Sequence, residues 1–274
     1  MLLFDAQPFG RVLESGDLSV DDTHNGQGVQ DHFHRAVLLG DTSTVASLFP
    51  LPMACVNASM RRVCFNRSDP SLRPLPDVFP VKDAQEFSAL FWAAWVGDVG
   101  LACLLLRNGA SPNVKGYASP LLAAVRQNHI ALVTELLTAG ADPSYENSEG
   151  SFALFLAVEL DRSEIVEELV NVFGIDPVRY NPFRCLTPLC LAAETGSIQN
   201  FRILRTACSQ TNSDDLEDYD QNALWLAASG GFSEVVEYLV QAGVEVNFFG
   251  GEQRQTPLAV ALDPAFELDE ARWE

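Results

Sequence analysis

The stretch DHFH places Asp31, His32 and His34 side by side, with His24 a short way upstream. Imidazoles and a carboxylate are zinc donors, but a zinc site needs three or four donors converging on one point, often with cysteine among them. No cysteine lies near this stretch. The six cysteines, Cys55, Cys64, Cys103, Cys185, Cys190 and Cys208, are dispersed, and none forms a Cys-x-x-Cys pair. Covalent catalysis would require one of them, or a serine, held beside a base. The nucleophile elbow, the P-loop and the dinucleotide glycine motif do not occur between a strand and a helix, and the glycines of FGGE at 249–252 read as a turn. Carboxylates are abundant, but in so acidic a chain they fall close together by chance. The residues therefore predict no catalytic residue, no metal and no cofactor.

What the chain does carry is charge and a repeated pattern. Its 274 residues are 47% hydrophobic and 20% charged, with a formal net charge of −20. A core is possible, and global disorder is not expected. A field of that sign repels nucleic-acid phosphates and anionic membrane, and it attracts basic segments while aiding solubility. The expected partner is a protein, one with a basic segment fitting best, and the expected state is a monomer that binds neither nucleic acid nor membrane. Dispersed single cysteines fit a reducing compartment, the cytoplasm or the nucleus. The N-terminal apolar run stops after four residues, and no run approaches the length of a span, so neither a signal peptide nor a transmembrane helix is expected.

Aligned on the residue that opens each TPL-like triplet, the chain repeats at Ser88, Ser119, Phe152, Thr187, Asn222 and Thr256, with spacings of 31, 33, 35, 35 and 34 residues. A degenerate copy lies upstream in HFHRAVLLGDTSTVASLF, with Ala36 and Gly40 in register. Each copy predicts two short helices. Ser119 or Thr187 can cap the first, with Pro120 or Pro188 at its first position, where no amide donor is needed. A small pair such as Ala93-Ala94 or Ala192-Ala193 sits in its middle. A break follows at Gly97, Asn128, Gly196 or Gly231, and then a second helix with apolar residues at helical spacing, such as Ile130, Val133, Leu136 and Leu137. Gly109, Gly140, Gly174 or Gly243 ends it in a left-handed cap.

This pattern resembles the ankyrin repeat. The resemblance implies an all-α solenoid of stacked antiparallel helix pairs with projecting hairpin-like turns. The expected organisation is a flexible segment over 1–30, a degenerate first repeat over 31–49, a Pro-rich insertion over 50–83, and an array over 84–274 whose last repeat is incomplete. The family's histidine after the TPL triplet is replaced in every copy, by Phe91, Leu122, Phe155, Cys190, Trp225 and Ala259. Apolar packing must stand in for its hydrogen bonds. His129 falls at a family position between two helices, where histidine is structural. The copy opening at Thr187 lacks its terminal glycine, which predicts a long irregular turn through SQTNSDDLEDYDQN.

A stacked spine leaves its outer positions free to vary, and in this family these bind proteins. The resemblance assigns partner contact to inner-helix positions Trp95, Arg126, Glu159 and Glu194 and to turn-tip positions Tyr117, Phe183, Arg184 and Tyr219. Trp95 is either an exposed anchor or a side chain packed on the insertion. DDLEDYD at 214–220 is either a solvated turn or a lure for a basic segment. Within the insertion, RRVCF resembles the docking segment of type-1 protein phosphatase partners, with Arg62 as the basic residue and Val63 and Phe65 as the alternate apolar pair of an added strand. This gives an adaptor alternative to a plain scaffold. A ubiquitin-ligase adaptor would need a C-terminal SOCS box, which is not visible before Glu274. Leu239, Glu245, Val246 and Asn247 are spaced like a hydroxylation site of ankyrin asparagines, although Asn247 also suits an ordinary turn.

Overall fold

A computed structural model describes residues 26–49, 56–57, 60–61, 86–113, 119–147, 150–210, 216–251 and 254–262. The described residues begin with α1 (Gly26–Leu39) and α2 (Thr42–Ser47). A two-residue strand β1 (Met60–Arg61) pairs antiparallel with β2 (Glu86–Phe87). Helix pairs follow: α3 (Ala89–Val96) with α4 (Val99–Arg107), then α5 (Pro120–Arg126) with α6 (Ile130–Thr138). Next come α7 (Ala153–Glu159) with α8 (Ser163–Glu167), and α9 (Pro188–Glu194) with α10 (Ile198–Gln210). Last are α11 (Leu216–Ser229) with α12 (Ser233–Gln241), and a final short α13 (Pro257–Ala261). The inner helices α3, α5, α7, α9, α11 and α13 each pack on the next, and α4, α6, α8, α10 and α12 form the outer rank. The result is an all-α solenoid.

The helix starts follow from the opening residues. Ser88, Ser119, Thr187 and Thr256 hold extended backbone, and each hydroxyl accepts the amide three residues on, at 3.1, 3.4, 3.2 and 3.2 Å. Pro120, Pro188 and Pro257 occupy the first helical position. At the inter-helix turn Gly97 has φ +87°, and a Cβ there would come within 2.6 Å of the His129 ring of the next repeat. Both backbone and neighbour therefore demand glycine, and His129 is a packing residue as expected. Buried Phe91, Leu122, Phe155 and Cys190 occupy the missing-histidine position. Phe91 meets Trp95 at 6.0 Å, and Phe155 meets Phe152 at 5.8 Å.

The uneven periods have local causes. In the copy opening at Phe152, the outer helix passes from α8 into a π-helical turn, Glu168–Val172, before Gly174. That turn absorbs one extra residue without losing the buried Leu169. The next copy differs from the expected irregular turn. Among the described residues α10 runs on to Gln210, and α11 starts at Leu216, several residues before its opener Asn222. Arg205 locks the two extensions together, with Nε 2.9 Å from one oxygen of Asp220 and Nη2 2.8 Å from the other. Asp220 is only 4% exposed. A bidentate pair in that setting ties α10 to α11 in the repeat that lacks its glycine cap.

At the N-terminal end α1 begins at Gly26, inside the stretch expected to be flexible. Its Phe33, Val37 and Leu38 and α2's Val45 are buried. His34 is also buried, and desolvation pushes its pKa down to about 4. One part of the stretch expected as an insertion, 50–83, packs on the repeats. Asn57 donates to Gly109 O at 3.1 Å and accepts from Ser111 N at 2.7 Å. Asn113 makes the same two bonds to Gly140 and Asp142 in the following repeat, at 2.7 and 2.8 Å. Asn57 and buried Val56 thus complete the turn of the first repeat.

Candidate protein-binding surface

One turn tip is built around a buried asparagine. Asn181 is fully buried; its amide donates to Gly150 O at 3.0 Å, and its side-chain oxygen accepts the amides of Phe183 and Arg184 at 2.9 and 3.1 Å. With Pro182 beside it, this is an asparagine-centred turn. It closes a bridge from Asn181 to Leu186 and turns its flanks outward. Phe183 is 66% exposed and Tyr180 54% exposed. The Phe183 ring lies so close to Gly150 (φ +73°) that a Cβ there would fall 2.1 Å away. The Cys185 thiol holds the exposed Tyr180 hydroxyl above its ordinary range. Tyr180 was not among the sequence candidates, and the signal for it was the Tyr-Asn-Pro-Phe order of a turn.

Arg184 reaches from this tip to Glu159 at the end of inner helix α7, with Nη2 3.1 Å from Oε1. Both side chains remain about a third exposed. Such a pair contributes about 0–1 kcal/mol and can exchange for an incoming partner at little cost. Arg179 is anchored on the same stretch of turns, 2.8 Å from Glu146 and with its guanidinium 4.7 Å from the Phe152 ring. The structure therefore brings Phe183, Arg184 and Glu159 together, with Tyr180 added. Glu194 and Arg126 are half-buried on their own inner helices, and Tyr219 is half-buried on α11.

Trp95 is a correction. It is 7% exposed and stacks on Phe91, so it belongs to the core and not to an exposed contact surface. A ring of that size at the end of α3 gains more by covering its own repeat than by facing water. Tyr117 and the docking residues Arg62, Val63 and Phe65 lie outside the described residues; Arg61, just before them, belongs to β1. Asn247 is exposed, and its amide donates to the Glu245 carboxylate at 2.8 Å. It occupies the repeat position of Asn57 and Asn113. Among the described residues no three His, Cys, Asp or Glu side chains gather as a metal site requires. Burial pushes the Cys208 thiol up to about 12 and raises Cys190, so neither is a ready nucleophile. No described helix is long and apolar enough to cross a membrane.

A family model described as ankyrin repeats matches the chain in three overlapping copies, over residues 90–181, 121–215 and 189–264. Palmitoyltransferase ZDHHC17 of Homo sapiens is 32% identical over 170 residues, covering 60% of this chain and 26% of that protein. The putative palmitoyltransferase ZDHHC13 of Danio rerio is 28% identical over 172 residues, with the same two coverages. The chain thus spans about a quarter of the length of these relatives. NF-kappa-B inhibitor alpha of Homo sapiens is 32% identical over 108 residues, covering 38% of this chain and 33% of that protein. Among solved structures, the ankyrin repeat domain of Bcl-3 superposes with a TM-score of 0.63 over 86% of this chain and 95% of its own, at 21% identity.

Proposed function

This chain belongs to the ankyrin repeat family, and we propose that it is a non-catalytic protein-binding module whose partner rests on the turn tips and inner helix ends around Phe183, Arg184 and Glu159. The observation that carries this reading is the tip itself. A fully buried Asn181 is spent on holding Phe183 and Tyr180 in solvent beside an exchangeable ion pair. Aromatic and arginine side chains dominate interface energies, and a fixed turn lowers the entropy cost of using them. Glu194, Arg126 and Tyr219 extend the surface along the inner rank. The net charge favours a partner with a basic segment, whose encounter would slow with added salt.

Quantitative affinity purification from cells that express the chain, comparing wild type with Tyr180→Ala/Phe183→Ala, tests the reading. Depletion of one reproducible set of proteins by the double variant is the expected result. An unchanged set, with unchanged thermal stability, sinks it. A second reading, an adaptor, rests on Arg62, Val63 and Phe65. A Val63→Ala/Phe65→Ala chain that pulls down type-1 phosphatase as well as wild type, or a wild type that pulls down none, removes it. The reading places the chain in the cytoplasm or nucleus, and fractionation of cells checks that.

A further inference from the structure

Two turn tips of this stack are built alike, and the copy between them has a helix in place of a tip. In the copies opening at Thr187 and Thr256, the residues six and one before the opener form a backbone bridge, Asn181 with Leu186 and Gly250 with Gln255. The residue just before each bridge is aromatic and exposed, Tyr180 at 54% and Phe249 at 66%. The Phe249 tip is held from beneath by Trp225, which stands at the missing-histidine position of its copy. A Cβ on Gly250 would come within 2.7 Å of that ring, and one on Gly251 within 2.5 Å. With both glycines seated on Trp225, Phe249 is kept in solvent as Phe183 is by the Asn181 turn. The copy between the two tips opens at Asn222, and there α11 already runs from Leu216. Its first turn carries Glu217 and Asp218, both exposed, and among the described residues neither has an ion-pair partner.

Along this edge the order of contacts is therefore aromatic, acidic, aromatic. The inner helices each pack on the next, which sets the step between copies at about 8–10 Å. Tyr180 and Phe249 belong to copies two steps apart, so about 16–20 Å separates their tips. An extended chain rises about 3.3 Å per residue and covers that span in about six residues. A docked helix presents one continuous apolar stripe, and the middle of this row is anionic. A second copy of the chain fits poorly, because a net charge of −20 opposes self-association.

We propose that this edge binds an extended segment of a partner protein, with two apolar side chains about six residues apart and a lysine or arginine midway. One apolar residue sits against Tyr180 and Phe183, the other against Phe249, and the cation faces Glu217 and Asp218. The inference rests on the reading that the turn tips bind a protein, and it adds the class of ligand and its register.

The probe is a display library of random 12-residue peptides selected on the full chain, followed by a synthetic peptide of the enriched consensus. The enriched pool is expected to share two apolar residues about six apart with a basic residue between them. Phe249→Ala should weaken the consensus peptide about tenfold, and Tyr180→Ala/Phe183→Ala at least as much. Selection on Glu217→Lys/Asp218→Lys should enrich an acidic residue at the middle place, a gain that a misfolded variant cannot give. A pool with apolar residues at helical spacing, a pool with no common register, or a basic preference that survives the charge reversal overturns the proposal. So does a wild-type dimer in sedimentation that Phe249→Ala dissolves, which assigns the row to a second copy. If Tyr180→Ala/Phe183→Ala removes binding and Phe249→Ala does not, this inference falls and the turn-tip reading stands. If both variants bind the peptide as wild type does, the turn-tip reading falls with it.

Discussion

The first and last described repeats of this stack differ in what they turn to solvent. At the N-terminal end, α2 turns Thr42, Ser43, Ala46 and Ser47 to solvent and only Val45 inward. At the other end, α13 buries Pro257 and Val260 but exposes Leu258 and Leu262. A solenoid stays soluble when its terminal repeats present polar outer faces, because each interior repeat shows apolar surface on both sides. Among the described residues α2 has a mostly polar outer face and α13 does not. The contrast teaches that the same repeat position can be a core position or an exposed one, depending on whether a neighbour covers it. Matched substitutions at equivalent positions can separate the two roles.

The largest effect should come from the leucine two residues after the opener. Leu189 is fully buried, and Leu189→Ala should destabilise the chain by about 2–5 kcal/mol. Leu258→Ala, at the same repeat position, should change stability by no more than about 0.5 kcal/mol. Urea unfolding followed by circular dichroism measures both. Similar losses at the two sites would mean that the α13 end is covered in solution and would break the contrast.

Arg205 probes the helical extension that leads toward α13. Arg205→Ala leaves the buried Asp220 carboxylate without the partner that grips both its oxygens, at a cost of about 3 kcal/mol. Arg205→Met/Asp220→Leu should recover most of that. If the single variant is silent, the extension is held by its apolar face alone.

The polar-capped end should respond to acid. Buried His34 titrates near 4 in the folded chain, against its ordinary 6.5, so the unfolded chain takes up the proton first as pH falls. The contribution of His34 is complete above pH 6.5 and is lost progressively toward pH 4. At pH 5 the loss should be about 1–2 kcal/mol. His34→Leu should flatten this part of the pH profile of the urea midpoint. A wild-type profile that is already flat between pH 7 and 5 would show that His34 meets water.

The helix pairs and their caps were legible because each copy writes its own signals: a hydroxyl, a proline, a small pair and a glycine at fixed offsets. The last described copy was half legible. Leu258 and Leu262 match the pattern, but burial depends on the next repeat, which no single copy encodes. For Trp95 the register left exposure and packing both open, and the ring of Phe91, one turn away, receives it. Asn57 was hidden among prolines. Its equivalence to Asn113 becomes visible only when its two backbone partners are known. The α10–α11 extension rests on Arg205 and Asp220, fifteen residues apart, and no periodicity connects them.

The smallest predicted effect is the sharpest test of how far the α13 end is ordered. Ser88 and Thr256 cap equivalent helices with the same hydroxyl-to-amide bond, 3.1 and 3.2 Å long. Ser88 is 2% exposed and starts a helix covered on both sides, so Ser88→Ala should cost about 1 kcal/mol of global stability. α13 has only five residues and, among the described residues, is covered from one side. Thr256→Ala should therefore leave the urea midpoint nearly unchanged and instead raise the hydrogen-exchange rate of the Val260 amide, which bonds to Thr256 O at 3.0 Å. If Thr256→Ala shifts the midpoint as much as Ser88→Ala, α13 unfolds together with the whole stack and the two ends do not differ in stability.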